Sequence, residues 1–196
     1  MSGLPVMRVL LVSTFVSEKV RKGYISKRTD ITKIHFSKIM QEKFLQEYSI
    51  SHIFCASDIL IDEDQSVLPE GFDMEPQLQN RNYGIWGGRD LRSLSLIEQQ
   101  NFMDPEYSPI EGESMFAFHI RLKAWLDGLF KKVKNQETIL VIATPPVIRA
   151  LSACILVDDI KNSFSIQHKL DIHPKSLSVF SGRCGKWRIL TLSAPF

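Results

Sequence analysis

Three things are scarce in this sequence, and each scarcity removes a class of function. The 196 residues contain only three cysteines, Cys55, Cys154 and Cys184, none close to another. That excludes a disulfide framework and a paired-cysteine metal motif, and leads us to expect a reduced, cytoplasmic chain. Charge of one sign is also scarce: 24 Lys and Arg against 22 Asp and Glu leave a net +2. So small a surplus makes neither a nucleic-acid nor an anionic membrane surface. No apolar run approaches the roughly 20 residues of a membrane span. The five histidines, His35, His52, His119, His168 and His173, show no ligand spacing. No metal and no cofactor is therefore expected, and neither nucleic acid nor membrane is expected as a partner. Repeats, low-complexity segments and domain linkers are absent too.

What remains is ordinary globular material, 44% hydrophobic and 23% charged, and it is read as one domain over residues 1–196. Met7 to Ser13 is a short apolar run of the kind buried on both faces of a parallel sheet. Phe36, Ile39, Met40 and Phe44 recur at helical spacing, which predicts a helix over residues 33–48. His52 to Ala56 is a second strand, predicted to lie parallel to the first through a right-handed crossover. Residues 57–90, rich in Gly, Pro and Asp, read as irregular. A short helix is expected near 92–101. A long amphipathic helix is expected from about Glu113 to Val133, with Phe118, Leu122, Trp125, Leu126 and Leu129 on its core face. Residues 176–180 and 187–192 close the chain as a hairpin around Ser181-Gly-Arg-Cys-Gly-Lys186. Cys55 and Cys154 sit in apolar runs and are expected to be buried.

The stretch that bears most on function is Ile139-Leu-Val-Ile-Ala-Thr-Pro-Pro-Val-Ile-Arg-Ala-Leu151. An apolar strand stops at Thr144, and a helix starts at Pro145. Such a turn places a helix N-terminus at the carboxyl end of a sheet, where open α/β folds bind ligands. Thr144 is a favoured N-cap residue and proline a favoured first helical residue. Pro145 and Pro146, however, have no backbone N–H to offer an anion.

Several segments together resemble the histidine phosphatase superfamily, the phosphoglycerate-mutase-like fold. Arg8-Val-Leu-Leu-Val-Ser-Thr-Phe-Val-Ser17 looks like the family's first strand running into Arg-His-Gly-Glu-Thr. Tyr83-Gly-Ile-Trp-Gly87 is similar to an aromatic-Gly-x-Trp-Glu-Gly loop, and Gly112-Glu113-Ser114 to the opening of a family helix. Val141 to Leu151 resembles a strand, His-Gly-Gly and a helix carrying Val-Ile-Arg-Ala-Leu. Pro174-Lys-Ser-Leu-Ser-Val179 with Trp187-Arg-Ile189 resembles the closing hairpin. The resemblance implies a mostly parallel, doubly wound α/β sheet flanked by helices, with a C-terminal antiparallel hairpin. In active members it implies an Arg-His pair after the first strand, a second Arg after the second strand, an acid in the middle region and a second His after the third strand. The histidine takes a phosphoryl group while fixed cations hold the equatorial oxygens.

This sequence departs at each of those positions. Ser13 and Thr14 stand for the Arg-His pair, and Ser57 to Asp64 holds no arginine. Asn80 aligns with the acid, with Glu75 close by, and Thr144 stands for the second histidine. Each charged hydrogen bond is worth about 1.5–3 kcal/mol, so the set forfeits on the order of 6 kcal/mol or more by that figure. The acidic Asp62-Glu-Asp64, if near the site, would repel a phosphate. The preferred expectation is a non-catalytic binding or regulatory member of the family. One alternative is a divergent phosphomonoesterase or phosphomutase in which Arg21, Arg28 and Arg149 converge to hold the anion, or in which Ser13 or Thr14 is a new nucleophile. Another is a protein-interaction module anchored by Phe72, Tyr83 and Trp86 in the 57–90 region. Ligand, protein partner and oligomeric state, a homodimer included, are left open.

Overall fold

A computed structural model of the chain describes residues 6–41, 46–64, 68–132, 137–157 and 159–195. Its elements run β1 (Met7–Ser13), α1 (Glu18–Arg21), β2 (Thr32–Ile34), α2 (Phe36–Met40), β3 (Ile50–Ala56), β4 (Ile59–Ile61), β5 (Phe72–Glu75), α3 (Leu96–Met103), α4 (Met115–Lys132), β6 (Thr138–Ala143), α5 (Pro145–Leu156), α6 (Ile160–Gln167), β7 (Ser176–Arg183) and β8 (Lys186–Pro195). The two runs of apolar β-branched residues and leucine, β1 and β6, lie side by side in the middle of a six-stranded sheet ordered β5-β3-β6-β1-β7-β8. They pair in parallel from Arg8 opposite Thr138 to Ser13 opposite Ala143. From Val9 to Val12 and from Ile139 to Ala143 every side chain is buried, as a strand covered on both faces requires. Strands β5, β3, β6 and β1 are mutually parallel, while β7 and β8 add antiparallel. This is the helix-flanked, mostly parallel sheet with a closing hairpin that the sequence implies.

The long helix α4 buries Phe118, Leu122, Trp125, Leu126 and Leu129 along one stripe. Trp125 meets Phe54 of β3 edge to face at 5.9 Å and donates to Glu75 Oε2 at 3.0 Å. At its far end Phe130 packs on Trp187 of β8 at 4.7 Å. Helix α5 is buried almost all round, which its near-continuous apolar sequence predicts.

Four expectations need correction. Strands β1 and β3 are parallel but not neighbours, because β6 lies between them. The helix expected over 33–48 starts late. The extended segment Thr32–Ile34 pairs with Ile59–Ile61, a match of β-branched residues. Helix α2 therefore begins at Phe36, with Ser37 N donating to Glu63 Oε2 at 2.9 Å. It is described only to Met40, and residues 42–45 of the expected span lie outside the described residues. The 57–90 region is not irregular throughout. It holds β4, β5 and two single 3-10 turns, Pro76–Leu78 and Gly84–Trp86. Helix α6 was not foreseen, although Asp159 is a capping residue whose carboxylate accepts from Lys161 N. The expected short helix is α3, capped by a reciprocal Ser95–Glu98 pair.

Leu122 is fully buried and Leu96 is 79% exposed. Leu122→Ala is expected to cost about 2–5 kcal/mol in urea unfolding. Leu96→Ala should stay within about 0.5 kcal/mol of the parent. Equal effects would contradict this placement of the core.

Candidate functional site

At the carboxyl ends of the central strands, β1 connects leftward to β3 while β6 connects rightward to β7. Neighbouring strands whose connections part in opposite directions open a crevice, the usual ligand position of this sheet type. The tips are fastened together: Thr14 N donates to Ala143 O at 2.9 Å. A cavity of about 370 Å³ opens there, within the size range of small-molecule sites.

The segment after β5 forms one wall, and the Gly112-Glu113-Ser114 signature holds it. Gly112 lets the chains touch: a Cβ there would meet Asn82 O at 2.8 Å. Main-chain O of Glu113 accepts from Arg81 Nε at 2.9 Å, and its carboxylate accepts from Asn82 N at 3.0 Å and Arg121 Nη2 at 2.6 Å. Arg121 Nη1 also donates to Gln77 O at 2.7 Å. Ser114 Oγ accepts from Ala117 N at 3.0 Å and so caps α4.

The structure brings together Ser13, Thr14, Asn80 and Thr144, and places every side chain but that of Thr14 in a particular bond. Ser13 Oγ donates to His173 O at 2.5 Å, tying β1 to the approach of the closing hairpin. Thr144 occupies the N-cap position of α5, but its side chain makes no capping bond, contrary to the expectation. An N-cap hydroxyl normally accepts from the second or third helical N–H. The second residue is Pro146, and Val147 N already bonds Thr144 O at 3.1 Å. The Thr144 hydroxyl turns instead to Asn80 Oδ1 at 2.5 Å. Asn80 then donates through Nδ2 and its main-chain N to Asp58 Oδ2, at 2.8 and 2.9 Å. Thr14 Oγ1 is buried with no partner among the described residues.

Asp58 follows β3, in the segment where the family would place its second arginine. Burial pushes its pKa up, against the lowering effect of the Asn80 hydrogen bonds and of Arg121. Glu75 lies apart: it caps the Pro76–Leu78 turn and pairs with Lys132 at 3.4 Å. The acidic run is also elsewhere, with Glu63 spent on Ser37.

The three arginines whose convergence the divergent-enzyme alternative requires do not converge. Val20 of α1 lines the cavity, while Arg21, one position on and so about 100° round the helix, is exposed. Arg28 is exposed and lines a neighbouring hollow of about 380 Å³. Arg149 does reach the cavity. Its Nη2 pairs with Asp171 at 3.3 Å, and its Nε has no partner among the described residues. The cation that sequence reading missed is Arg81. It is 4% exposed, lies over the Tyr83 ring at 4.9 Å and lines both hollows. Burial depresses its pKa, with Tyr83 and Glu113 acting the other way. The available signal was its place beside Asn80, the residue aligned with the family's acid.

The proposed aromatic anchors are not a surface. Trp86 is 2% exposed, in a small core with Ile25 and Leu94, and stacks on Tyr107 at 5.5 Å. Tyr83 stacks on Phe102 at 5.8 Å, and Phe72 packs against the main core. Cys55 and Cys154 are buried as expected. Among the described residues no cluster of His, Cys, Asp or Glu could hold a metal ion, and no helix is long and apolar enough to cross a membrane.

The family model for the histidine phosphatase superfamily (branch 1) matches residues 65–195. The chain belongs to the histidine phosphatase superfamily. Solved structures share the fold nearly end to end. An alpha-ribazole phosphatase from Shigella flexneri superposes with a TM-score of 0.70 at 18% identity, covering 97% of this chain and 98% of that one. A mycobacterial glucosyl-3-phosphoglycerate phosphatase gives 0.67 at 15%, covering 96% and 99%. YhfR from Bacillus stearothermophilus gives 0.72 at 13%, covering 97% and 98%. No curated protein sequence matches the chain. The family accounts for the sheet order and for the crevice above β1 and β6.

Two measurements probe the hydrogen-bond chain. Thr144→Val is expected to cost about 1–3 kcal/mol, since it leaves Asn80 Oδ1 without its donor. Thr144→Ser should recover most of that loss in the same urea titration. Asp58 binds its proton more tightly folded than unfolded, so its contribution is greatest below the ordinary aspartate range and is lost as pH rises through its folded pKa. Asp58→Asn keeps an acceptor for both Asn80 donors, and should remove that part of the pH dependence. An unchanged stability–pH slope above pH 4 would contradict the assignment.

Proposed function

We propose that this member of the histidine phosphatase superfamily is non-catalytic and serves as a binding or regulatory protein through the crevice above β1 and β6. The observation that carries the reading is the Thr144–Asn80–Asp58 chain. The positions that align with the family's second histidine and its acid hold neutral groups, hydrogen-bonded to one another. Ser13 and Thr14 align with its Arg-His pair, and the Ser13 hydroxyl is engaged by a main-chain carbonyl. A phosphoryl acceptor needs a nucleophile with a base beside it. Thr14 Oγ1 has no hydrogen-bond partner of any kind among the described residues.

The other Ser–His pair near the crevice has a structural role. His119 Nδ1 lies 2.6 Å from Ser163 Oγ, but Ser163 is fully buried and its hydroxyl donates to Ile160 O at 2.5 Å. Burial depresses the His119 pKa, opposed by the Gln167 hydrogen bond. The divergent-enzyme alternative loses Arg21 and Arg28 from the cavity and keeps only Arg149 of the three.

The test is hydrolysis of p-nitrophenyl phosphate and of common sugar phosphates by the purified protein. The expected rate is that of buffer alone, unchanged by Thr14→Ala or Thr144→Ala. Turnover that either substitution abolishes would make the protein an enzyme and overturn the proposal.

A further inference from the structure

Resting on that reading of the crevice, we infer that it takes an amphipathic organic monocarboxylate, the carboxylate on Arg81 and a flat apolar body along the wall. Arg81 uses Nε on Glu113 O, while Nη1 and Nη2 are buried with no partner among the described residues. Glu113 Oε1 and Oε2 are occupied by Arg121 and Asn82, and Asp58 Oδ2 by Asn80; Asp58 Oδ1 has no partner among the described residues and makes no bond to Arg81. A buried cation without a counter-charge is costly. A guanidinium edge with two free parallel donors matches a planar two-oxygen acceptor.

Charge selects the class. Arg81 and Arg149 are the arginines at the cavity, and Asp30 is the carboxylate that lines it. Arg149 is already paired with Asp171. With that pairing and Asp30 set against the two arginines, the lining carries no surplus positive charge, and Arg81 is the one local cation left for an anion, which suits a monoanion better than a dianion. A phosphomonoester carries about −1.5 to −2 at pH 7, and would need a second free cation that the cavity lacks.

Shape selects the body. Phe15, Val20, Tyr83, Phe102, Met115 and Pro146 supply an apolar wall. Two of the lining hydroxyls are engaged, Thr144 by Asn80 and Ser17 as the acceptor that caps α1 at Val20 N. An aryl or alkyl chain lies along that wall with no polar group of its own to leave unpaired.

The experiment is isothermal titration of the whole protein at pH 7.5 with 3-phenylpropionate, indole-3-acetate and octanoate, against phenyl phosphate and 3-phenylpropanamide. Saturable binding of at least one carboxylate is expected, about tenfold or more tighter than phenyl phosphate and than the amide. Arg81→Gln should weaken it by a similar factor. Because Arg81 also braces Glu113, a second variant is needed. Phe15→Asp places a like charge on a residue 50% exposed, and should weaken carboxylate binding while the thermal melt stays unchanged. Phenyl phosphate binding as tightly as the carboxylates, no saturable carboxylate binding, or binding indifferent to both variants would each overturn the inference. None of these outcomes bears on turnover: a protein that fails this titration and still hydrolyses no phosphate refutes the ligand class alone.

Discussion

The hydroxyl of Thr144 donates to Asn80, and Asn80 is held in turn by Asp58. This short chain of bonds joins the ends of three segments, those following β6, β5 and β3. Thr144 and Asp58 are buried, and breaking a bond between buried polar groups leaves a group unpaired at a cost. Thr144, Asn80 and Asp58 therefore bind one another before they bind anything else. Among the described residues the cations left with unmatched nitrogens at the crevice are Arg81 and Arg149, beside the unpartnered Thr14 Oγ1, Asp58 Oδ1 and Gln167 Nε2.

The chain of bonds depends on a scaffold that is almost wholly apolar. β1 and β6 bury every side chain over their central residues, and the Thr14–Ala143 bond brings their tips to one place. Among the described residues, Glu113 and Arg121 fasten the Gln77–Asn82 segment to α4 by five hydrogen bonds through main chain and side chain. That clamp fixes Arg81 and, through Asn80, the partner of Thr144. Gly112 is required because the segments approach too closely for a Cβ, which explains why a Gly-Glu-Ser triplet opens this helix.

Much of this was legible in the sequence because it depends on local pattern. The apolar runs of β1 and β6, the stripe of α4 and the order of motifs along the chain report burial directly. They led to the family and to the crevice residues Ser13, Thr14, Asn80 and Thr144. What was not legible depends on contacts between distant segments. Thr144 looked like a helix cap, and only the spatial approach of Asn80 redirects its hydroxyl. Arg21 and Arg28 were plausible by proximity in sequence, yet the turn of α1 and an exposed loop carry them away. Arg81 was signalled only by its place beside Asn80, since the unpaired state of its two Nη atoms is a property of its neighbours. Residues 32–34 and 59–61 were too short to announce a strand pair.

The proposed non-catalytic reading requires that no side chain at the crevice take a phosphoryl group. Intact-protein mass spectrometry after incubation with acetyl phosphate tests this directly. The account predicts the unmodified mass at all times. A protein gaining the mass of one phosphoryl group, mapped to Thr14, Thr144 or any other side chain lining the crevice, would contradict it.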